Sequence, residues 1–219
     1  MKDRYFEIRL NHEARREHIW RELAPYIQAR HLPGCKSLID LGAGQCFFAN
    51  NVKDCSVLAV DANPEFVEYA KHGVKTLVTD CLAFEEDVTG TFDGVFASNF
   101  FEHLEKDDVR SLLTQLSKIL VPGGRLVVLQ PNFRSKPRQY FDDYTHLSIW
   151  TDVSFSDQLR ALGWRVTKVH RRFLPLTVKT RFPIPLPRLL MKMYLSLPFK
   201  FLAGQMLIVA EWDVASRDV

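Results

Sequence analysis

The chain has 219 residues and a net charge of +3, with 47% hydrophobic and 25% charged residues, which is typical of a single soluble domain. Its four cysteines form no CxxC pair and have no histidine cluster beside them, which argues against a zinc ribbon or a disulfide framework and for reduced thiols. The N-terminal segment is too charged for a signal peptide, and no apolar run approaches the roughly 20 residues that span a bilayer, so we expect a cytoplasmic protein.

The first predicted element is an amphipathic helix within residues 11–31, where Ile19, Leu23 and Ile27 recur among charged residues. The Pro-Gly pair at positions 33 and 34 ends this helix. We expect a helical cap over residues 1–34 and a main domain over residues 35–219, with residues 131–151 and 173–204 as insertions on the substrate side.

Short apolar runs then alternate with helical patterns. Such alternation is typical of a parallel sheet with helices on both faces. The helical patterns cover residues 47–52, 64–72, 81–84 and 106–120. The strands are predicted at Ser37–Leu41, Ser56–Asp61, Val74–Thr79, Phe92–Ala97 and Arg125–Gln130.

The pattern changes after the fifth strand. Thr151–Leu162 is predicted as a helix, and Trp164–Arg172 and Gln205–Trp212 are predicted as strands. Because these two strands lack a usual crossover helix between them, we expect an antiparallel ending to the sheet. The predicted fold class is therefore α/β, with a doubly wound, seven-stranded, mostly parallel sheet and an antiparallel last strand.

The stretch SLIDLGAGQCFFANNV, residues 37–52, has the pattern of a strand, a glycine-rich turn and a helix. Gly42 and Gly44 let a ligand approach the backbone and the N–H groups of a helix end. A dinucleotide-binding turn requires a small residue at position 47, so that the helix packs closely on the strand. Because Phe47 is bulky, the sequence argues against a dinucleotide ligand.

Acidic residues end three consecutive predicted strands. Asp40 precedes the first glycine, where a carboxylate would repel a phosphate and suits an ammonium or sulfonium group. Asp61 lies 21 residues later, where a carboxylate can accept hydrogen bonds from ribose hydroxyls. Asp80 can accept one from the exocyclic amine of adenine. Each residue alone is more often a cap or turn residue, but three at the ligand-binding edge of one sheet favour a nucleoside ligand.

These motifs resemble the class I, Rossmann-like S-adenosylmethionine-dependent methyltransferases. The resemblance is carried by LIDLGAGQC, VLAVDANPEFVEYAK, LVTDCLAF, FDGVFASNFFEHL and LVPGGRLVVLQPN, in this order, over residues 36–212. The family often has a third glycine where this chain has Cys46. The resemblance implies S-adenosyl-L-methionine as cofactor, S-adenosyl-L-homocysteine as product, and no required metal. It assigns Asp40, Gly42, Ala43 and Gly44 to the methionine part of the cofactor, Asp61 and Ala62 to the ribose, Asp80, Cys81 and Leu82 to the adenine, and Ser98 and Asn99 to the surroundings of the methyl group.

Residues 98–104, SNFFEHL, resemble the passage from the fourth strand into a helix in small-molecule methyltransferases. Glu102 and His103 are candidate catalytic residues there. The alternative, which we favour, is that the two side chains cap and orient the following helix.

The acceptor is expected beside the loop after the fifth strand. Methyl transfer aligns a nucleophile about 3 Å from the methyl group and can include removal of a proton. His146 is the predicted base, because an unperturbed pKa near 6.5 leaves its imidazole neutral at pH 7, although a loop histidine is often only a hydrogen-bonding residue. Asp143 is predicted to orient His146 or to bind a substrate hydroxyl. Residues Arg134, Tyr140 and Tyr144 are predicted to bind the substrate.

The C-terminal part of the chain is basic. Residues 158–210 contain no Asp or Glu and ten Lys and Arg, which predicts an anionic partner. Residues 185–203 combine apolar residues at helical spacing with Arg188, Lys192 and Lys200. This pattern fits a lid packed on its own domain, which we favour, a helix in peripheral contact with a membrane, or a dimer contact.

The leading functional hypothesis is methyl transfer, at oxygen, to a small-molecule or carrier-linked acceptor that is glycan-like or lipid-like, by analogy with bacterial methyltransferases of such substrates. RNA methylation is an alternative that the basic region allows. Against it, Ser98-Asn99-Phe100-Phe101 stands where an NPPY-like tetrapeptide would serve amino-nitrogen methylation, and there is no appended RNA-binding module. A protein that binds the cofactor without catalysis is the non-enzyme alternative.

Overall fold

A computed structural model describes residues 14–81, 83–175, 188–197, 200 and 203–212 of the chain. Within these residues, helices and strands largely alternate along the chain. The helices are α1 (Ala14–His31), α2 (Phe84–Asp87), α3 (Lys106–Ile119), α4 (Pro137–Tyr140), α5 (Asp152–Ala161) and α6 (Arg188–Ser196). The strands are β1 (Ser37–Leu41), β2 (Ser56–Asp61), β3 (Lys75–Val78), β4 (Phe92–Ser98), β5 (Leu120–Pro131), β6 (Trp164–Pro175) and β7 (Ala203–Trp212).

The described strands form one seven-stranded sheet in the order β3-β2-β1-β4-β5-β7-β6. The first five strands pair in parallel, whereas β7 lies between β5 and β6 and is antiparallel to both. This topology confirms the predicted fold class. The strand order reverses between β1 and β4, and open α/β sheets bind their ligands beyond the carboxyl ends of the strands at such a reversal.

Two apolar layers cover the two faces of the sheet. Leu38 of β1 packs in one layer and its neighbour Ile39 packs in the other, as the two-residue period of a strand requires. Helices α3 and α5 cover the face of Ile39, for example through Leu112 and Phe155. Helices α1 and α6 cover the face of Leu38. Each fully buried side chain of this size contributes about 1.5–3 kcal/mol by leaving water.

Helix α1 belongs to the core of the domain. Leu23 and Ile27 are buried in the same cluster as Leu38, so the described part of the predicted cap is one of the layers on the sheet. The division of the chain at residue 34 stays a prediction, because residues 1–13 lie outside the described part of the chain.

Helix α6 packs against α1. Met191 and Leu195 are buried in the α1 cluster, and Lys192 Nζ lies 3.6 Å from Glu22 Oε2. The described part of this segment therefore packs on its own domain, while its role as a lid on the substrate side stays a prediction. The packing gives no support to membrane contact through residues 185–203. Among the described helices, none combines the length and the apolar character needed to cross a bilayer.

The turn after β1 differs from the prediction. In place of a helix over Phe47–Val52, residues 44–48 form turns and only Ala49–Asn51 form a 3₁₀ turn. Phe48 occupies the N-cap position, where an aromatic ring cannot accept a hydrogen bond from the first N–H groups of a helix. The short helix predicted over Cys81–Phe84 begins at Phe84 instead.

Candidate active site

A cleft with a volume of about 510 Å³ lies at the carboxyl ends of the central strands, and its size is typical of a small-molecule site. Its lining includes His146, Asp143 and most of the residues predicted to bind the cofactor. The remaining one, Leu82, lies outside the described residues. The predicted cofactor-binding residues that line the cleft are Asp40, Gly42, Ala43, Gly44, Asp61, Ala62, Asp80, Cys81, Ser98 and Asn99.

The glycine turn exposes backbone to the cleft. Gly42 has a φ of +67°, and its N–H donates to the Val60 carbonyl at 2.9 Å, which ties the turn to the end of β2. A Cβ atom at Gly42 would lie 2.3 Å from Cδ2 of Phe100. Glycine is therefore required at position 42 both for its backbone conformation and for the space beside Phe100.

Cys46 stands where the family often has glycine, and its φ of +54° lies in the left-handed region. Its side chain is buried, and its Sγ donates weakly to the Phe66 carbonyl at 3.8 Å. A residue with a Cβ is strained in this conformation by about 1–2 kcal/mol. The turn therefore keeps the left-handed backbone conformation that glycine would adopt, and Cys46 adopts it at a cost in stability.

Asp61 links β2 to the glycine turn. One carboxylate oxygen, Oδ2, accepts from Gly44 N–H at 2.9 Å, and the other accepts from Asn63 N–H at 2.9 Å. Burial raises the pKa of Asp61, while these backbone hydrogen bonds oppose the shift. Each oxygen keeps a second lone pair, so the carboxylate can still accept hydrogen bonds from a ligand.

Asp40 lies deeper in the same wall. Its Oδ2 accepts from Ala49 N–H at 3.0 Å, and the side chain is almost fully buried. Burial raises the pKa of Asp40 to about 7, and the neighbouring charge of Asp61 adds to the increase. A cationic ligand beside Asp40 would favour its ionised form, which is the electrostatic condition that a sulfonium group meets.

Asn99 connects the end of β4 to the last strand. Its φ is +49°, and its side-chain Oδ1 accepts from Gln205 Nε2 of β7 at 2.6 Å. The Asn99 Nδ2 donates to Ser98 Oγ at 3.2 Å. The floor of the cleft thus depends on a contact between residues far apart in sequence.

A buried carboxylate and two imidazoles lie at the other end of the cleft, in Glu102, His103 and His146. The helix that Glu102 and His103 were expected to cap begins only after them: α3 has Glu105 as its N-cap residue and no side-chain cap. The capping expectation is therefore wrong. Glu102 is 0% exposed, and burial raises the pKa of its carboxyl to about 8.

Asp143 acts on this end of the cleft through Thr145. Asp143 Oδ1 accepts from Thr145 Oγ1 at 2.7 Å and from Thr145 N–H at 3.2 Å. Thr145 Oγ1 in turn lies 2.9 Å from Nδ1 of His103. Burial lowers the pKa of His103, and the nearby His146 lowers it further. The ring centroids of His103 and His146 are 5.0 Å apart, so the predicted base has a second imidazole as its neighbour.

The three predicted substrate-binding residues are not in the described lining of the cleft. Tyr140 is 1% exposed; its hydroxyl donates to the Ser148 carbonyl at 2.7 Å and accepts from Trp150 N–H at 3.2 Å. Its hydrogen bonds therefore hold the loop together, which argues against contact with a substrate. Arg134 and Tyr144 are exposed, and neither is among the described residues that line the cleft.

Carboxylates dominate the charge of the cleft. The described lining contains only one Arg or Lys side chain, that of Arg16 on α1. This balance gives no support to an anionic group of the acceptor inside the cleft, because such a group would be repelled. The acidic lining residues are Asp40, Asp61, Asp80, Glu102, Asp142 and Asp143.

Several lining residues were not predicted. Arg16 and Trp20 reach the cleft from α1, and the Trp20 ring packs edge-on against Phe96 at 6.0 Å between centroids. No local sequence signal marks such a contact, since it depends on how α1 crosses the sheet. Glu102 differs from these two residues, because it is a catalytic candidate from the sequence, although a structural role is the one favoured there.

Comparison with known proteins identifies the family to which this chain belongs. Residues 11–169 match the family model described as "Methyltransferase domain", whereas no curated protein matches the chain. The fold is shared with an S-adenosylmethionine-dependent methyltransferase from Archaeoglobus fulgidus, at 20% identity and a TM-score of 0.64 over 87% of this chain and 94% of that one.

Two further solved structures have the same fold. One is the N-methyltransferase NodS from Bradyrhizobium japonicum WM9 in complex with S-adenosyl-L-homocysteine, at 14% identity and a TM-score of 0.60 over 93% of this chain and 90% of that one. The other is a putative O-methyltransferase from Nostoc punctiforme PCC 73102, at 16% identity and a TM-score of 0.61 over 88% of this chain and 55% of that one. The chain therefore belongs to the methyltransferase domain family and has the class I fold of the S-adenosylmethionine-dependent methyltransferases.

Proposed function

We propose that this methyltransferase transfers the methyl group of S-adenosylmethionine to a hydroxyl oxygen of a small-molecule or carrier-linked acceptor. The observation that carries the proposal is the arrangement of the cleft. One end has the backbone-anchored Asp61 and the open glycine turn, and the other end has a buried carboxylate beside two imidazoles.

The first end of the cleft fits the cofactor. Asp61 has lone pairs left for the two ribose hydroxyls, and Gly42 keeps the backbone clear of a side chain. Asp40 supplies negative charge where a sulfonium would lie. When bound, the cofactor supplies an electrophilic methyl group, whose transfer forms the new oxygen–carbon bond, breaks the sulfur–carbon bond, leaves S-adenosylhomocysteine and releases the hydroxyl proton.

The second end fits an acceptor that must lose a proton. A hydroxyl is a weak nucleophile until its proton is removed, whereas a neutral amine attacks without prior deprotonation. His146 is the proposed proton acceptor, and Asp143 is proposed to position this end of the cleft through its hydrogen bonds to Thr145. These proton-accepting groups favour oxygen over nitrogen as the methylated atom.

The exposed apolar residues of the loop that carries His146 favour an acceptor with an apolar portion. Four apolar side chains of the loop that carries His146 are exposed, and large apolar groups clustered at the surface often mark a binding site. A lipid-like part of a carrier-linked acceptor fits such a surface. RNA fits the cleft poorly, because carboxylates repel its phosphates. The exposed side chains are Phe141, Tyr144, Leu147 and Ile149.

Two measurements test the proposal. S-adenosylmethionine at 100 times its Kd should stabilise the protein by about 2.7 kcal/mol and raise its Tm, whereas NAD should not. Transfer of labelled methyl groups should then be compared for matched acceptors that differ only in a hydroxyl or an amine on the same apolar scaffold. The absence of any Tm shift with S-adenosylmethionine would refute the cofactor assignment, and a preference for the amine would refute O-methylation.

A replacement separates the role of His146 from cofactor binding. The His146→Ala protein should bind S-adenosylmethionine with unchanged affinity and lose most of its turnover, because the proposed proton acceptor is gone. Full turnover in this variant would remove His146 from the proposed site.

A further inference from the structure

The acceptor end of the cleft gathers more ligating atoms than proton transfer needs. Glu102, His103 and His146 each offer one such atom, and the three atoms lie within 4.8 Å of one another. Two elements supply them, the 3₁₀ turn after β4 and the loop after α4. The cluster opens into the cleft, since all three residues line it.

Glu102 is the unexplained member of this cluster. Its side chain is 0% exposed, and neither carboxylate oxygen has a hydrogen-bond partner in another described residue. A buried carboxylate without a partner costs several kcal/mol relative to one in water, so such groups are protonated, paired or bound to a metal ion. Glu102 has no pairing partner among the described residues, so its carboxyl either carries a proton or faces a cationic ligand in the cleft.

The hydrogen bonds of His103 prepare it as a metal ligand. Its Nδ1 lies 3.2 Å from the Thr145 carbonyl, which can only accept, so the ring hydrogen is on Nδ1. The Thr145 hydroxyl donates to Asp143 and so receives the same N–H. This leaves the lone pair of His103 on Nε2. Histidine ligands of metal ions are held by such a second hydrogen bond, which fixes the tautomer.

We propose that Glu102, His103 through Nε2, and His146 bind one divalent transition-metal ion of the zinc class. Imidazole and carboxylate are the ligands that such ions take, and three protein ligands with one open position are the pattern of catalytic zinc sites. Bonds of about 2.0–2.1 Å in a tetrahedron place ligand atoms about 3.4 Å apart. The ligand atoms of the three residues now lie within 4.8 Å of one another, so the cluster would contract around a bound ion. A fourth position on a bound ion would be left for a ligand from the cleft, which all three residues line.

The charge around the cluster agrees with a cation. Asp142 and Asp143 line the same part of the cleft, and no Lys or Arg of the described lining comes from its loop or from the 3₁₀ turn. A divalent ion would offset the negative charge of Glu102 that burial makes costly. The alternative to a bound ion is a proton shared among the three side chains, which would neutralise Glu102 without any metal.

Ion binding by the three residues is independent of the proposed function. A role of the ion in activating the acceptor hydroxyl rests on the proposed function. An ion at this site would hold an acceptor hydroxyl and lower its pKa, as a bound cation does for water. His146 would then serve as a ligand in place of its role as proton acceptor, activation of the hydroxyl would depend on the ion, and the released proton would pass to solvent in the cleft. The acceptor class narrows accordingly to compounds whose oxygen can coordinate a metal.

Ion binding can be measured without cofactor or acceptor. The protein, without a histidine tag and freed of metal by a chelator, is titrated with Zn²⁺ by calorimetry and with Co²⁺ by visible absorption. We expect one ion per chain and Co²⁺ bands of a four- or five-coordinate site. Thr145→Val should weaken Zn²⁺ binding about 10–100-fold, as loss of a supporting hydrogen bond does, and Glu102→Gln and His146→Asn should weaken it at least as much.

His72→Asn is the matched control, because His72 is exposed and outside the cluster, and it should bind Zn²⁺ as the unchanged protein does. Absence of a one-to-one Zn²⁺ complex in the unchanged protein would overturn the proposal whatever the variants do. Equal binding by folded Glu102→Gln protein would also overturn it. Either result leaves cofactor binding unaffected, so it is distinguishable from failure of the proposed function, which the Tm shift with S-adenosylmethionine reports.

Discussion

Asp61 Oδ2 accepts a hydrogen bond from the backbone N–H of Gly44 at 2.9 Å. This contact joins the residue that ends β2 to the turn that follows β1, and the other oxygen of Asp61 holds Asn63 N–H. The same carboxylate is thus both a support of the glycine turn and the proposed partner of the ribose.

Replacement of Asp61 should therefore weaken cofactor binding in two ways. We expect Asp61→Ala to raise the Kd for S-adenosylmethionine more than about 10-fold, since hydrogen bonds to a charged group contribute about 1.5–3 kcal/mol each. Isothermal titration calorimetry measures this change. Asp157→Ala, at an exposed acid on α5 that pairs with Arg160, should leave the Kd as it is. Unchanged affinity in Asp61→Ala would remove Asp61 from the cofactor site.

Gly42 and Gly34 form a matched pair for testing the glycine turn. Both have positive φ, +67° and +75°, but a Cβ at Gly42 would lie 2.3 Å from Phe100, whereas one at Gly34 would meet nothing within 4 Å. Both alanine variants should lose about 1–2 kcal/mol of unfolding free energy from backbone strain. Only Gly42→Ala should lose more than this and also weaken cofactor binding. Equal effects on the two proteins in urea unfolding would show that the contact with Phe100 is unimportant.

At Cys46 we expect the usual order of stability between a glycine and an alanine variant to reverse. Inside helices and strands glycine is less stabilising than alanine by about 0.5–1 kcal/mol. At Cys46, whose φ is +54°, the order should reverse, because alanine keeps the strain that glycine relieves. We expect Cys46→Gly to exceed Cys46→Ala in unfolding free energy by about 1 kcal/mol, as measured by chemical denaturation. The usual order would mean that the left-handed conformation at this position costs little.

His31 predicts a loss of stability in acid. Burial, together with the charges of His170, Lys168, Arg30 and Arg125, lowers the pKa of His31 to about 4. In the unfolded chain its pKa is near 6.5, so the unfolded state binds the proton first as the pH falls. The stability contributed above pH 6.5 is therefore lost between about pH 6.5 and 4, by up to roughly 3 kcal/mol.

The His31→Leu protein should lack this part of the acid dependence. Its unfolding free energy should fall less between pH 7.5 and pH 4.5 than that of the unchanged protein, as measured by urea unfolding at each pH. The difference between the two proteins at pH 7.5, where histidine is neutral in both states, reports the change in packing alone. Parallel pH profiles would show that His31 does not titrate in the native protein as its burial requires.

The sequence predicted the strands better than the turns. The bounds of Ser37–Leu41 and Ser56–Asp61 agree with the structure, because each run is apolar and ends at an acidic residue or a glycine turn. The residues predicted to bind the cofactor line one cleft for the same reason, since consecutive parallel strands bring their carboxyl ends together. Local composition is enough where the position of a residue along a strand decides its place in the fold.

The acceptor end was less predictable because packing between distant segments determines it. Tyr140 looked like a polar loop residue, but its hydroxyl is enclosed by Ser148 and Trp150. Glu102 looked like a helix cap, but the chain turns once more before α3 begins and places the side chain in the cleft. Trp20 reaches the site from α1, more than 70 residues from the β4 residue it contacts. None of these contacts follows from the residues next to each side chain.

The hydrogen bond from Gln205 to Asn99 has a consequence for the order of folding. The two residues are 106 positions apart, and Gln205 belongs to the antiparallel strand that enters the sheet between β5 and β6. A ribosome releases Asn99 long before it makes the partner that fixes it. The parallel half of the sheet has all its strands while the nascent chain still lacks β7, so the floor of the cleft is completed only when β7 joins the sheet.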